Sequence, residues 1–220
     1  MISNSAVLLA LRNRALSLVV ATTGSVSLSA TATGYARAAG SFVTDGFKVG
    51  MDLTATGFTT PGNNGAHVLT AVTALTLSCL GCVAEGPVGG ITLTTGLPTM
   101  LAATNVDFIP TTGRPYVEED YVPGPAAQVT LGPLGTVELF PLYTLNVYGV
   151  SNTGINGVMA VVDALLTLFA PRTGIPLSSG DVVRIRESPA PYAGALVQAS
   201  PGWAFCPVTI PCWIRTANAI

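Results

Sequence analysis

Cys79-Leu-Gly-Cys82 is the most suggestive pair of chemical groups in the sequence. Two thiols at this spacing fit a metal knuckle or a redox pair. A closed zinc site needs four donors. The remaining cysteines, Cys206 and Cys212, stand an even number of positions apart. On a strand they share a face and lack the turn that a second knuckle needs. Zinc and a disulfide stay open. Free buried thiols, acting as small hydrophobes, are the reading adopted, with no metal and no cofactor assigned. His67 is the single histidine. A Ser-His-Asp triad would have to use it. No acidic or nucleophilic residue adjoins it in sequence, so its expected role is structural. No Gly-x-Ser-x-Gly elbow, Walker loop or His-Glu-x-x-His helix occurs. No catalytic or cofactor-binding residue is assigned.

Glu118-Glu119-Asp120 is the densest run of charge. On a strand over 114–122 its members alternate, with Glu118 and Asp120 on one side and Glu119 on the other. A solvated edge is one reading. The other is an acidic lining for the pore of a symmetric oligomer, where a negative wall repels phosphate and lets DNA slide past. Arg184 and Arg186 share one face of a strand over 182–187, opposite Val183 and Ile185. They are candidates for ion pairing with these acids, within or between subunits. Arg12 and Arg14 sit off the apolar stripe of a first helix. They read as a solvated face, or as half of an ion pair across a subunit boundary.

The elements that must position these groups are legible in outline. Residues 135–148 put Val137, Leu139, Tyr143, Leu145 and Val147 at alternate positions, the pattern of a strand with one buried face. Pro141 lacks a donor and predicts a bulge or an edge there. The period then changes. Ile155, Val158, Met159, Val162, Leu165, Leu166 and Phe169 form one stripe of a helix, with Asn152 or Thr153 as cap and Pro171 and Gly174 as stop. A first helix is predicted over 2–19, with Leu8, Leu11, Ala15 and Leu18 on its stripe and Ser3, Asn4 or Ser5 as cap. From 21 to about 96 the chain reads as six short strands broken by turns, which predicts a small sandwich or barrel. Asn63-Asn64-Gly65 is the strongest turn among them. Residues 97–110 read as a linker. Pro207 and Pro211 confine the last strand, 203–215, to an edge or to bulges.

Composition bounds the function. Charged residues make up 9% of the chain, against roughly 25% in a typical globular protein. A surface so poor in charge suits a subunit whose faces are covered by neighbours. The net charge of −2 lacks the basic footprint of a nucleic-acid binder. No apolar run reaches about 18 residues, so no membrane span is predicted. Arg12, Asn13 and Arg14 cut the apolar N-terminal run too short for a signal peptide, so an intracellular, soluble product is expected.

The order of several pieces resembles one family. A short N-terminal helix is followed by Asn105-Val106-Asp107-Phe108-Ile109-Pro110, Arg114-Pro115-Tyr116-Val117 and Val129-Thr130-Leu131-Gly132. Next come Asn146-Val147-Tyr148, Gly154, the helix over 158–169 and Pro207-Val208-Thr209-Ile210-Pro211. This is similar to the tail terminator proteins of long-tailed bacteriophages. The resemblance covers 1–20 and 98–220 and implies an α+β fold with an α/β core of about five strands and two helices. It also implies a homo-oligomeric, hexameric ring at the head-proximal end of the tail tube, in the virion neck, assembled from chains made in the host cytoplasm. Its implied partners are the tail tube protein and a head-completion or connector protein. DNA passes through the lumen without specific binding. Residues 21–97 depart from the family pattern. Gly40-Ser41-Phe42, Asp45-Gly46-Phe47-Lys48-Val49-Gly50 and Asn63-Asn64-Gly65 resemble a β module of phage tail and other virion proteins. That implies an inserted all-β domain. A tail tube or head-completion subunit is the alternative, and a small hydrolase with a β accessory domain is a more distant one.

Overall fold

The computed structural model describes residues 3–103, 106–130, 135–151, 153–199 and 202–217. Helix α1 (Asn4–Leu16) buries Val7, Leu11 and Ala15, so its stripe runs through Val7 where Leu8 was expected. Ser3 holds the cap position, but its hydroxyl makes no capping bond and meets Ser5 Oγ at 2.5 Å.

Eight strands follow: β1 (Val19–Thr22), β2 (Val26–Thr31), β3 (Gly34–Ala36), β4 (Asp52–Thr56), β5 (Gly65–Val68), β6 (Ala71–Val72), β7 (Thr76–Ser78) and β8 (Glu85–Gly96). They form one sheet in the order β5-β4-β8-β2-β3-β7-β6, with β1 also on β8. Two more strands are present than the six expected. The long β8 is the spine, pairing with β1, β2 and β4. The Asn-Asn-Gly turn delivers β4 and β5 as an antiparallel pair, Asp52 opposite Val68. Gly65 supplies the positive φ, +96°, that this turn requires. Leu28, Tyr35, Leu53, Leu77, Ile91 and Leu93 share one apolar cluster with Phe42 and Phe47 from the loops.

The chain continues through β9 (Met100–Ala102), β10 (Tyr116–Val122), β11 (Ala126–Gln128), β12 (Thr136–Leu139), β13 (Leu142–Val150) and helix α2 (Asn156–Leu168). It ends in β14 (Gly174–Pro176), β15 (Val182–Ile185), β16 (Tyr192–Ala193), β17 (Val197–Gln198) and β18 (Trp203–Ala217). These make a ten-stranded sheet with the path β11-β12-β18-β13-β10-β9, the others attached through β15 and β18. The expected five strands undercount it. β9, β11, β14, β16 and β17 hold two or three residues each, too few to show a period. β9 lies inside the expected linker and pairs parallel with β10.

The strand expected over 135–148 is split at Pro141, yet β12 and β13 meet β18 in one unbroken register. Neither expectation for β18, an edge or bulges, holds, since its register with β12 and β13 has no shift. β18 is central, with β12 and β13 on one side and β15, β16 and β17 on the other. In an antiparallel ladder the N–H and C=O of one residue point to the same side. The Pro207 carbonyl accepts from Gly194 N at 2.8 Å and the Pro211 carbonyl from Arg186 N at 2.9 Å. Both donorless nitrogens therefore face the side where three short strands leave gaps, and the ladder to β13 stays whole.

Helices α1 and α2 cover one face of this sheet. Val158, Val161, Val162 and Leu165 of α2, with Phe169 just beyond it, meet Tyr143, Leu145, Val147, Val208 and Ile210. The far side of α2 is not all solvent, since Ala160 packs against the first sheet's cluster. A Cβ on Gly157 would lie 2.7 Å from the Val49 carbonyl, an approach open only to glycine. The expected caps need correction. Thr153 Oγ1 donates to the Val150 carbonyl at 2.7 Å, and Ile155 holds the cap position. Asn152, the other expected cap, and the expected turn residues 132–134 lie outside the described residues. Arg172 takes the left-handed φ of 70° after the helix, while Gly174 begins β14.

Candidate functional site

The opposite face of β10, β13 and β18 is not covered by a helix. Alternation sends Val117, Glu119, Tyr143, Leu145 and Val147 inward, and Tyr116, Glu118, Asp120, Asn146 and Tyr148 outward. Register then aligns Tyr116, Tyr148 and Phe205 in one row across three strands. Tyr116 stacks on Tyr148 with ring centroids 4.2 Å apart, and Tyr148 on Phe205 at 4.8 Å. Phe108 leans on Tyr116 at 5.3 Å, and Trp203 meets it edge-on at 5.0 Å. Such offset and edge contacts are favourable arrangements for aromatic quadrupoles.

Glu118 lies one row along. Its Oε2 accepts from Tyr148 Oη at 3.0 Å and from Asn146 Nδ2 at 3.3 Å. Burial, and then Glu118, push the Tyr148 hydroxyl well above its ordinary pKa, so it stays a neutral donor. Ala102, Val106, Phe108 and Pro110 wall this row into a groove of about 610 Å³. The groove sets a row of aromatic rings beside the carboxylates of Asp107, Glu118 and Asp120. Its chemistry suits contact with another protein surface.

The acidic run is divided as alternation predicts, but Glu119 is no surface acid. It is 3% exposed and lies under α1. Arg12 Nε donates to both of its oxygens, at 3.2 and 2.9 Å, Arg12 Nη2 also reaches Oε1, and Tyr143 Oη donates to Oε2 at 3.0 Å. The Glu119 bond is the largest cause holding the Arg12 guanidinium above its ordinary pKa. For Arg12 this corrects both expected readings. Arg12 pairs inside its own chain, and Arg14 Nη2 donates to the Leu168 carbonyl at 3.2 Å, at the C-terminal end of α2. The first-helix arginines fasten α1 to its own subunit.

Within one chain, among the described residues, Arg184 and Arg186 form no ion pair with the acids. Val183 and Ile185 face the core as expected. The Arg184 guanidinium lies 5.8 Å from the Trp213 ring and Arg186 lies 5.6 Å from Phe140. Among the described residues neither forms an ion pair. Sequence reasoning missed the pair that ties the two sheets. Asp52 on β4 accepts from Arg114 Nη2 at 3.0 Å and from Thr99 N at 2.9 Å.

Cys79 and Cys82 are buried with their sulfurs 3.1 Å apart. Cys206 and Cys212 are buried in the other cluster, so the second cysteine pair does not join the first. His67 does. A ring nitrogen of His67 and the two sulfurs lie within 4.8 Å of one another. The neighbours that His67 lacks in sequence are supplied by the fold. The only sequence signal was the order of a histidine followed by a Cys-x-x-Cys pair.

Among the described residues no helix is long and apolar enough to cross a membrane. No curated protein matches the chain. A solved structure whose name carries no functional description covers 54% of this chain and 79% of its own, at 20% identity and a TM-score of 0.42. A likeness at that score carries no inference. The sequence model of the phage tail terminator protein family matches residues 84–212, from just before β8 into β18, leaving α1 outside. That match spans more than half of the sequence, and the chain belongs to the phage tail terminator family, structural proteins of the bacteriophage tail.

Proposed function

We propose that six copies of this chain close into a ring at the head-proximal end of the tail tube, where the ring stops tube growth and joins tail to head. The observation that carries the reading is the half-buried row of Tyr116, Tyr148 and Phe205 on the face that no helix covers, flanked by Trp203. Stacked rings on an open sheet face are the composition of an interface core. A heterologous contact that closes makes a ring, whereas one that does not close makes a filament.

The action is geometric and no bond is made or broken. One ring face copies the contact that a tube subunit offers. The other meets the head-completion or connector protein and offers no site for the next tube subunit. Glu118 and Asp120, exposed on β10, border the lumen and let DNA pass unbound. Glu119, buried under α1, takes no part in that lining. Residues 1–20 and 98–220 form the ring body. Residues 21–97 form an inserted β domain that decorates its outside or grips an adjacent ring.

The test is a phage carrying an inactivated copy of this coding sequence. Filled heads separate from tails of uncontrolled length are the expected result. Joined particles with tails of normal length would overturn the reading.

A further inference from the structure

The His67, Cys79 and Cys82 cluster lies apart from the aromatic row on which the proposed assembly rests. His67 lies on β5, and the two cysteines bracket the turn after β7. Gly81 holds a φ of +88° there, and a Cβ at Gly81 would touch nothing. Glycine is therefore needed for the turn that brings the sulfurs together and not for space. The sulfurs are 3.1 Å apart, too far for a disulfide bond, and one thiol donates to the other.

His67 carries the decisive detail. It is 9% exposed, and its Nδ1 lies 3.2 Å from the Leu80 carbonyl, inside the Cys-Leu-Gly-Cys turn itself. A carbonyl can only accept, so Nδ1 carries a proton, and in the neutral imidazole the lone pair is then on Nε2. Nε2 is buried and has no partner. A buried nitrogen with an idle lone pair is costly in free energy. Metal-bound histidines commonly have this arrangement, with the other ring nitrogen donating to a backbone carbonyl.

We propose that His67, Cys79 and Cys82 bind a thiophilic divalent cation of the zinc class. Thiolate and imidazole donors select such a metal over calcium or magnesium. On binding, each thiol releases its proton to solvent as its sulfur–metal bond forms. Three protein donors leave one tetrahedral position for water. The ion pins the Cys79–Cys82 turn to β5. That turn carries Leu80, 83% exposed, and Val83, 51% exposed, so the metal fixes an apolar tip on the surface.

The test uses the full-length chain, stripped with chelator, dialysed against zinc chloride and measured by elemental mass spectrometry. One zinc per chain is expected. A C79S/C82S variant should hold none, and a C206S/C212S variant should keep the wild-type stoichiometry. His67→Ala should bind zinc roughly tenfold more weakly or worse, since losing an outer partner alone costs about that much. Should the cysteine variants fail to fold, cobalt(II) added to the native chain still decides. A thiolate-to-cobalt charge-transfer band supports the site, and its absence contradicts it. Zinc retained by C79S/C82S, no zinc on the native chain, or an intact mass showing a disulfide would each overturn the proposal.

Discussion

Arg12 Nε lies 2.9 Å from Glu119 Oε2, although 107 residues separate the two in sequence. The carboxylate is fully buried and the guanidinium partly so. Together with Tyr143 they clamp the first helix to the middle of the second sheet.

Breaking that clamp on one side leaves a buried charge. Arg12→Ala is expected to lower stability by about 3–5 kcal/mol, read from the urea unfolding midpoint. Replacing the whole network with Arg12→Leu, Glu119→Leu and Tyr143→Phe should restore most of that loss.

Close packing of α2 on β13 makes a second case. A Cβ at Gly149 would overlap the Val158 Cγ2 methyl. Gly149→Ala should cost about 1–3 kcal/mol. Adding Val158→Ala removes the clashing methyl, so the pair should be less than additive in thermal denaturation.

Glu85 gives a pH dependence. Its carboxylate accepts from Thr59 N at 2.9 Å, Thr60 N at 3.1 Å and Asn63 Nδ2 at 2.8 Å. Desolvation would raise its pKa, but these bonds outweigh that and hold it below the ordinary value. A depressed pKa contributes stability that is present above the unfolded value, about 4.3, and lost as pH falls through the folded one. Amide exchange at Thr59 and Thr60 should therefore accelerate on acidification, beyond its intrinsic pH trend. Glu85→Gln should remove that extra dependence.

The aromatic row predicts a split between assembly and folding. Tyr116→Ala removes a ring from the uncovered face while leaving the covered core intact. It should weaken the ring contact by about 2 kcal/mol or more, as interface anchors do. Size-exclusion with light scattering should show smaller species at equal concentration, with circular dichroism unchanged.

The legible parts of the fold were those where one period runs long enough to be read. β13 and α2 are such stretches. Tyr143, Leu145 and Val147 are buried as alternation predicts, and Val158, Val162, Leu165 and Phe169 as the helical stripe predicts. Pro207 and Pro211 misled because sequence gives a missing donor but not the side on which it falls. Glu119 was correctly separated from Glu118 and Asp120 by alternation. That its face is the buried one depends on Arg12, which only the fold brings near. The association of His67 with Cys79 and Cys82 is likewise a product of strand pairing. The stacked Tyr116, Tyr148 and Phe205 come from three separate strands, and no local pattern announces their register.

Native mass spectrometry of the purified full-length chain tests the central claim most directly. A discrete hexamer that persists on dilution and never extends is the predicted result. A monomer at every concentration, or a ladder of growing tubes, would contradict it.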